Sequence, residues 1–199
     1  MRRADLKENT GRHGERRRLR YLAPLFALLA GACGYGEIQQ LDEQVGEARS
    51  DIEVQLQRRT ELIPTLLETI ERYVRVDSMT LVAVSDSRVE LVGAVRARDL
   101  AEMEAASRKL SEAVARLLAE TAENPVLQSD LGFRLLNSQL EGIEQEVTEA
   151  GRMYNEAVQR YNAYIAQFPQ LVTAKVIGAV PLRYFDPATP ASSASAAGA

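Results

Sequence analysis

Apolar side chains recur along this chain at steps of three and four over most of its length, the repeat of one face of an α-helix. From Ile38 they fall at Leu41, Val45, Ala48, Ile52 and Leu56, with Gln, Glu, Asp and Arg between them. The stripe continues through Leu62, Ile63, Leu66, Leu67, Ile70, Tyr73 and Val74. Pro64 stands inside it and has no N–H to give to the helical ladder, which predicts a kink or a restart there. From Met79 to Leu91 the pattern is less regular. There Val82, Val84 and Val89 leave helix or short strand open by local propensity, and the long helices on both sides favour helix.

Asp99 followed by Glu102 matches a capping box, and Leu100, Met103, Leu110, Ala113, Leu117 and Leu118 follow it. Asn124-Pro125 ends that helix, and Ser129 or Asp130 offers the next N-cap. The clearest stripe runs through Leu136, Leu140, Ile143, Val147, Ala150, Tyr154, Val158, Tyr161, Ile165 and Phe168. A helix of that length, ~50 Å at ~1.5 Å per residue, needs comparably long partners to cover one apolar face. These are Ile38–Val74 and Asp99–Glu123. The expected fold is all-α: an elongated antiparallel bundle of three or four long helices over residues 38–186. After Phe168-Pro169, Leu171 to Pro181 forms one more helix or folds back along the bundle end. The last twelve residues contain only Ala, Thr, Pro, Ser and Gly. Residues 187–199 are therefore expected to be a disordered tail.

The head of the chain has a different pattern. Arg16-Arg17-Arg18-Leu19-Arg20 leads into an uncharged, mostly apolar run from Tyr21 to Ala32, and then Cys33. A basic start, an apolar stretch of about a dozen residues and small residues after it read as a secretory signal peptide or anchor over 1–32. A bilayer-spanning helix needs roughly 20 apolar residues, more than this run provides. Leu29-Ala30-Gly31-Ala32-Cys33 resembles a bacterial lipobox, in which Cys33 is the lipidated residue and 33–37 a short linker; Ala30 stands where Leu is usual. The alternative is an uncleaved anchor ending in an ordinary Cys33. In both cases the arginine cluster stays cytoplasmic and the body lies across the membrane, at the inner or the outer membrane.

Charge agrees with this division. The net charge of the 199 residues is −4. Residues 1–20 hold eight basic and three acidic groups, so the remainder is strongly acidic. An acidic body argues against a nucleic-acid partner. The chain has one Cys and one His, His13. That excludes a disulfide framework, a His-based catalytic triad and a His-ligated metal in the body. No cofactor is expected.

Four groups remain as candidate sites. Arg58 and Arg59 flank the stripe ahead of Pro64 and could receive an anion or a partner; the plainer reading has their stems cover the core while their heads meet acids on the next helix. Asn155 and Asn162, one heptad apart and each after a Tyr, read as interhelical amides that fix register or as the lining of a polar groove. Tyr154, Tyr161 and Tyr164 read as core and boundary residues. Glu141, Glu144, Glu146 and Glu149 sit at helical spacings on solvated faces.

Four blocks give the chain a family likeness. They are Cys33–Val45; V-Q-L-Q-R-R-T-E-L-I-P-T-L from Val54; Y-N-E-A-V-Q-R-Y-N from Tyr154, with Phe168-Pro169; and Arg183-Tyr184-Phe185. Together they resemble the LemA family of bacterial membrane-attached helical proteins over roughly residues 33–186. Thr65 replaces the family's usual Asn, Val76-Asp77 its His-Glu, and Gly178-Ala179 its Gly-Phe. The resemblance implies a helical bundle outside the cytoplasm with no enzymatic activity established for the family, and a magnetosome member points to membrane organisation. The functional expectation is an anchored, non-enzymatic interaction module. It binds the membrane and a protein partner, with self-association as a further option. The alternatives are a lipid-binding module using Leu171–Val180 and a carboxylate-only metal protein or hydrolase.

Overall fold

The computed structural model describes residues 12–186, with side chains from Gly34 onward; the lipidation candidate Cys33, the signal segment's side chains and the tail lie outside that description. Among the described residues there are six helices and no strand: α1 (Arg12–Tyr73), α2 (Ser78–Ala97), α3 (Leu100–Thr121), α4 (Pro125–Ser129), α5 (Leu131–Ala166) and α6 (Gln170–Ile177). The all-α expectation holds. Residues 34–37, expected as a linker, are helical and belong to α1.

The contacts divide the chain into two compact units. The larger contains Gln44–Gln159 and the residues from Arg183 on. In it, pairings between Arg59 and Glu144 and between Tyr73 and Asp130 run in opposite sense along α1 and α5. Arg88 with Thr60 and Arg98 with Glu53 set α2 antiparallel to α1, and Thr80 with Glu120 and Lys109 with Glu90 set α3 antiparallel to α2. This is an up-and-down bundle. Its core holds Ile52, Leu56, Ile63, Leu66 and Ile70 from α1, Val84 and Leu91 from α2, and Met103, Leu110 and Leu117 from α3, with Leu127, Phe133 and Val158 completing it. The stripe on α2 differs from the one expected: Val82 and Val89 are exposed, and Thr80, Val84, Leu91 and Ala94 point inward.

Helix ends follow local chemistry. Asp99 caps α3, accepting from the N–H groups of Ala101 and Glu102 at 2.8 and 3.0 Å. The capping box is only half formed, because the Asp99 N–H donates to the Ala94 carbonyl at 3.3 Å and not to Glu102. Arg98, just before it, takes a left-handed φ of 55°, and Glu53 holds its guanidinium at 3.2 Å. Asn124 caps α4 ahead of Pro125, and Asp130, rather than Ser129, caps α5 through the Phe133 N–H at 2.8 Å. Of the kink or restart expected at Pro64, the restart does not occur: α1 runs through it as one helix. The Thr60 carbonyl that proline leaves without a helical donor receives Arg88 Nε at 2.8 Å.

The smaller unit joins the described part of α1 up to Glu43 with Arg160–Leu182. Ile38, Leu41, Tyr161, Ile165 and Ala174 are its buried apolar residues. Gly34 is buried with its Cα face against Thr173 of α6; a methyl group there would lie 3.5 Å from the threonine hydroxyl. The α5 stripe stops at Ile165. Phe168, expected as its last core position, lies beyond the helix end in the turn to α6 and is 83% exposed. Gly178 closes α6 with φ 74°, a conformation open to glycine at little cost, and Ala179 N–H returns to the Ala174 carbonyl at 2.9 Å. Both expectations for this stretch are met in part, since a short helix is followed by a non-helical return.

Candidate functional site

Arg58 and Arg59 are neighbours in sequence and, at ~100° per residue around a helix, they face different surroundings. Arg59 turns into the bundle and its side chain is only 4% exposed. Its Nη2 donates to Glu144 Oε1 at 2.6 Å and to Ser111 Oγ at 2.8 Å, and its Nη1 reaches Ser107 Oγ at 3.1 Å. Burial lowers the Arg59 pKa and the Glu144 charge works against that fall. An arginine stays protonated across any ordinary pH, so the charge persists and is answered inside the fold. Arg59 is thus a structural cation, the plainer of its two readings. Glu144 is not on a solvated face as its spacing implied; it is half-buried as the arginine's counter-ion.

Arg58 stays outside. It lies 3.6 Å from Glu146 and 3.3 Å from the side-chain oxygen of Gln55. An exposed pair of this length holds little energy and can be exchanged for another partner. Arg58 and Glu146 stand at the rim of a groove of about 430 Å³ between α1 and α5, lined also by Glu61, Leu62, Gln139, Gly142 and Ile143. Ile143, expected as a core position, is only half-buried because it forms part of this groove's apolar floor. Gly142 contributes no side chain, and the space its Cβ would occupy is empty for 4 Å around. Opposite charges around an apolar floor suit the side chains of a protein segment better than a small anion.

Asn155 and Asn162 serve neither a neighbouring helix nor an open groove. In the larger unit, Asn155 donates from Nδ2 to the Phe185 carbonyl at 2.8 Å and accepts the Phe185 N–H at 2.7 Å. In the smaller unit, Asn162 makes the same exchange with Leu182, both distances being 2.8 Å. Each amide stands in for the edge of a strand, satisfying both polar groups of one non-helical residue. Tyr154 adds a bond from its hydroxyl to the Arg183 carbonyl at 3.1 Å, and burial raises its pKa. Tyr154 and Tyr161 are core residues and Tyr164 is at the boundary, as expected.

Glu104 was missed. It is 7% exposed on α3 and receives Arg183 Nη2 at 2.6 Å and the Asp186 N–H at 2.9 Å. The signal was its place beside Met103, on the inward side of the stripe. Glu141, Glu146 and Glu149 are exposed, and Glu149 is held below the usual carboxylate range by its hydrogen bond from Arg152. Among the described residues no three carboxylate, histidine or cysteine side chains gather closely enough to hold a metal ion. No described helix is long and apolar enough to cross a membrane.

A comparison with curated proteins returned no match. The LemA family model matches residues 48–196. That range takes in the arginine pair, the proline, both asparagines and the closing Arg183-Tyr184-Phe185, while the block Cys33–Val45 precedes it. The match covers most of the chain, and this chain belongs to the LemA family.

Proposed function

We propose that this chain is held to a bacterial membrane by its N-terminal segment and displays its bundle on the extracytoplasmic side, where it binds another protein without catalysing a reaction. The division of labour between Arg58 and Arg59 carries this reading. One arginine and both asparagines are consumed in holding the fold, whereas Arg58 stands exposed beside a groove with an apolar floor. The alternative of a carboxylate-based hydrolase or metal protein loses its best-placed member, because Glu144 already answers Arg59. The basic head, the apolar run and Cys33 support the anchored, extracytoplasmic placement.

Photo-crosslinking tests the partner reading. A photoreactive residue at Gln139 of the full chain, in intact cells, is expected to give a discrete adduct with another protein or a second copy. Adducts no different from those at an exposed site outside the groove would refute it. Anchor chemistry is tested separately by fatty-acid labelling of the chain and of its Cys33→Ser variant. Loss of label in the variant supports lipidation; no label in either favours a retained anchor.

An apolar surface on α6 favours a second contact, with lipid.

A further inference from the structure

Helix α6 is built inside out. It turns the small Ala174 inward at 2% exposure, while Val172 and Val176, one helical turn apart, face outward at 56% and 81%. Phe168 before the helix and Val180 after it are also largely exposed. Scattered apolar residues on a surface need no explanation, but a helix that presents its larger apolar side chains outward and its smallest inward calls for an apolar phase outside.

Three observations identify that phase. The backbone of Gly34, immediately after Cys33, lies against Thr173, so α6 sits beside the point at which the apolar N-terminal run ends. Tyr35 is half-exposed in the same unit, and tyrosine and phenylalanine with one side free suit the boundary between water and lipid. Finally, residues 167–182 contain Lys175 and no acid, within a body that is otherwise rich in acids. A local surface of valine, phenylalanine and lysine complements an anionic membrane interface.

We propose that the outward face of α6, with Phe168 and Val180 flanking it, rests in the interfacial layer of the same bilayer that holds the N-terminal segment. The membrane then meets the protein at two places, the anchor and α6, and the second would restrain how the first lets the body tilt. This rests on the reading of residues 1–32, or the lipidated Cys33, as the anchor, which flotation in the test below examines separately.

The chain has no tryptophan, so a single introduced indole reports one position. The full chain carrying Val176→Trp is reconstituted into phosphatidylethanolamine–phosphatidylglycerol vesicles with and without acyl-brominated lipid. Flotation of the chain with the vesicles reports the anchor, and Val89→Trp, exposed on α2, serves as the reference for water. The expected result is emission from position 176 at shorter wavelength than from position 89, with loss of most of its intensity in brominated vesicles. Val172→Trp should behave alike. If the chain floats with the vesicles while position 176 matches position 89, the α6 contact is wrong and anchoring stands. A chain that fails to float with the vesicles overturns the anchor reading and the α6 contact with it. A blue-shifted but unquenched position 176 also overturns the proposal, since a protein surface would then cover α6.

Discussion

Arg88 Nε donates at 2.8 Å to the carbonyl oxygen of Thr60, the oxygen that Pro64 leaves without its helical donor. The L-I-P stretch of the family motif therefore has a counterpart on α2 that the motif does not contain. An orphaned, partly buried carbonyl costs ~1–3 kcal/mol, and Arg88→Ala is expected to lose stability of that order. In a Pro64→Ala background the carbonyl regains an N–H, so the same arginine substitution should cost less. Denaturant unfolding of the four chains measures this coupling; costs that simply add would show that the two residues act separately.

Glu144 matters more than its half-exposed position suggests, because its removal leaves Arg59 charged and buried. Breaking one side of such a pair costs up to ~3–5 kcal/mol. With Glu144 30% exposed, Glu144→Ala should fall at about 3 kcal/mol or below on that scale. Replacing both partners, Arg59→Met with Glu144→Leu, removes the stranded charge and is expected to be milder than Glu144→Ala alone. A double variant less stable than that single one would contradict this account.

Substituting Asn155 or Asn162 should free the closing segment locally. Each amide satisfies both backbone groups of its partner, so Asn155→Ala is expected to cost ~1–3 kcal/mol and to expose the Phe185 amide to solvent exchange. Asn162→Ala should do the same for Leu182. Asn155→Asp keeps the acceptor but sets a carboxylate against the Phe185 carbonyl, and should be no better than alanine. Hydrogen exchange followed by residue reads all three; unchanged protection at Phe185 would rule out the proposed pinning.

Asp130 gives a pH dependence with a definite sign. Its pKa is lowered first by the Phe133 N–H and then by the Tyr73 hydroxyl, which donates at 2.9 Å. A carboxylate whose folded pKa is depressed stabilises above its unfolded pKa, near 3.9, and loses that contribution as pH falls through the folded value. Asp130→Asn should therefore be less stable than the native chain at neutral pH, with the gap closing in acid. Thermal midpoints across the acid range test this, and a gap independent of pH would remove Asp130 ionisation from the account. The same contact raises the Tyr73 pKa.

Gly142 separates folding from binding. With nothing within 4 Å of a Cβ there, Gly142→Ala is expected to stabilise α5 by ~0.5–1 kcal/mol through backbone entropy. Gly142→Phe should fold and yet fill the groove, reducing the adduct formed from Gln139. A bulky variant that folds and crosslinks at the native level would move the partner surface elsewhere.

Much of the fold was legible in the sequence because its causes are local. The stripe from Ile38 to Ile70 repeats with the helical turn, and Asp99, Asn124 and Asp130 cap helices through N–H groups two or three residues away. The same local logic erred where distant groups intervened. A restart at Pro64 was open because the donor that covers the orphaned Thr60 carbonyl, Arg88, lies far along the chain on α2. Phe168 fitted the repeat numerically but came after the helix had ended.

The candidate residues were legible as a set and not as a division of roles. Spacing alone singled out Arg58, Arg59, Asn155 and Asn162, together with the all-helical fold and the basic, apolar head. Tertiary structure decided that Arg59 meets Glu144 inside while Arg58 remains at a groove, and that each asparagine holds backbone rather than a facing helix. The reason is geometric. Periodicity states which side of a helix a residue occupies, whereas its hydrogen-bond partner depends on which other chain segment arrives there, and that is fixed only when the helices pack.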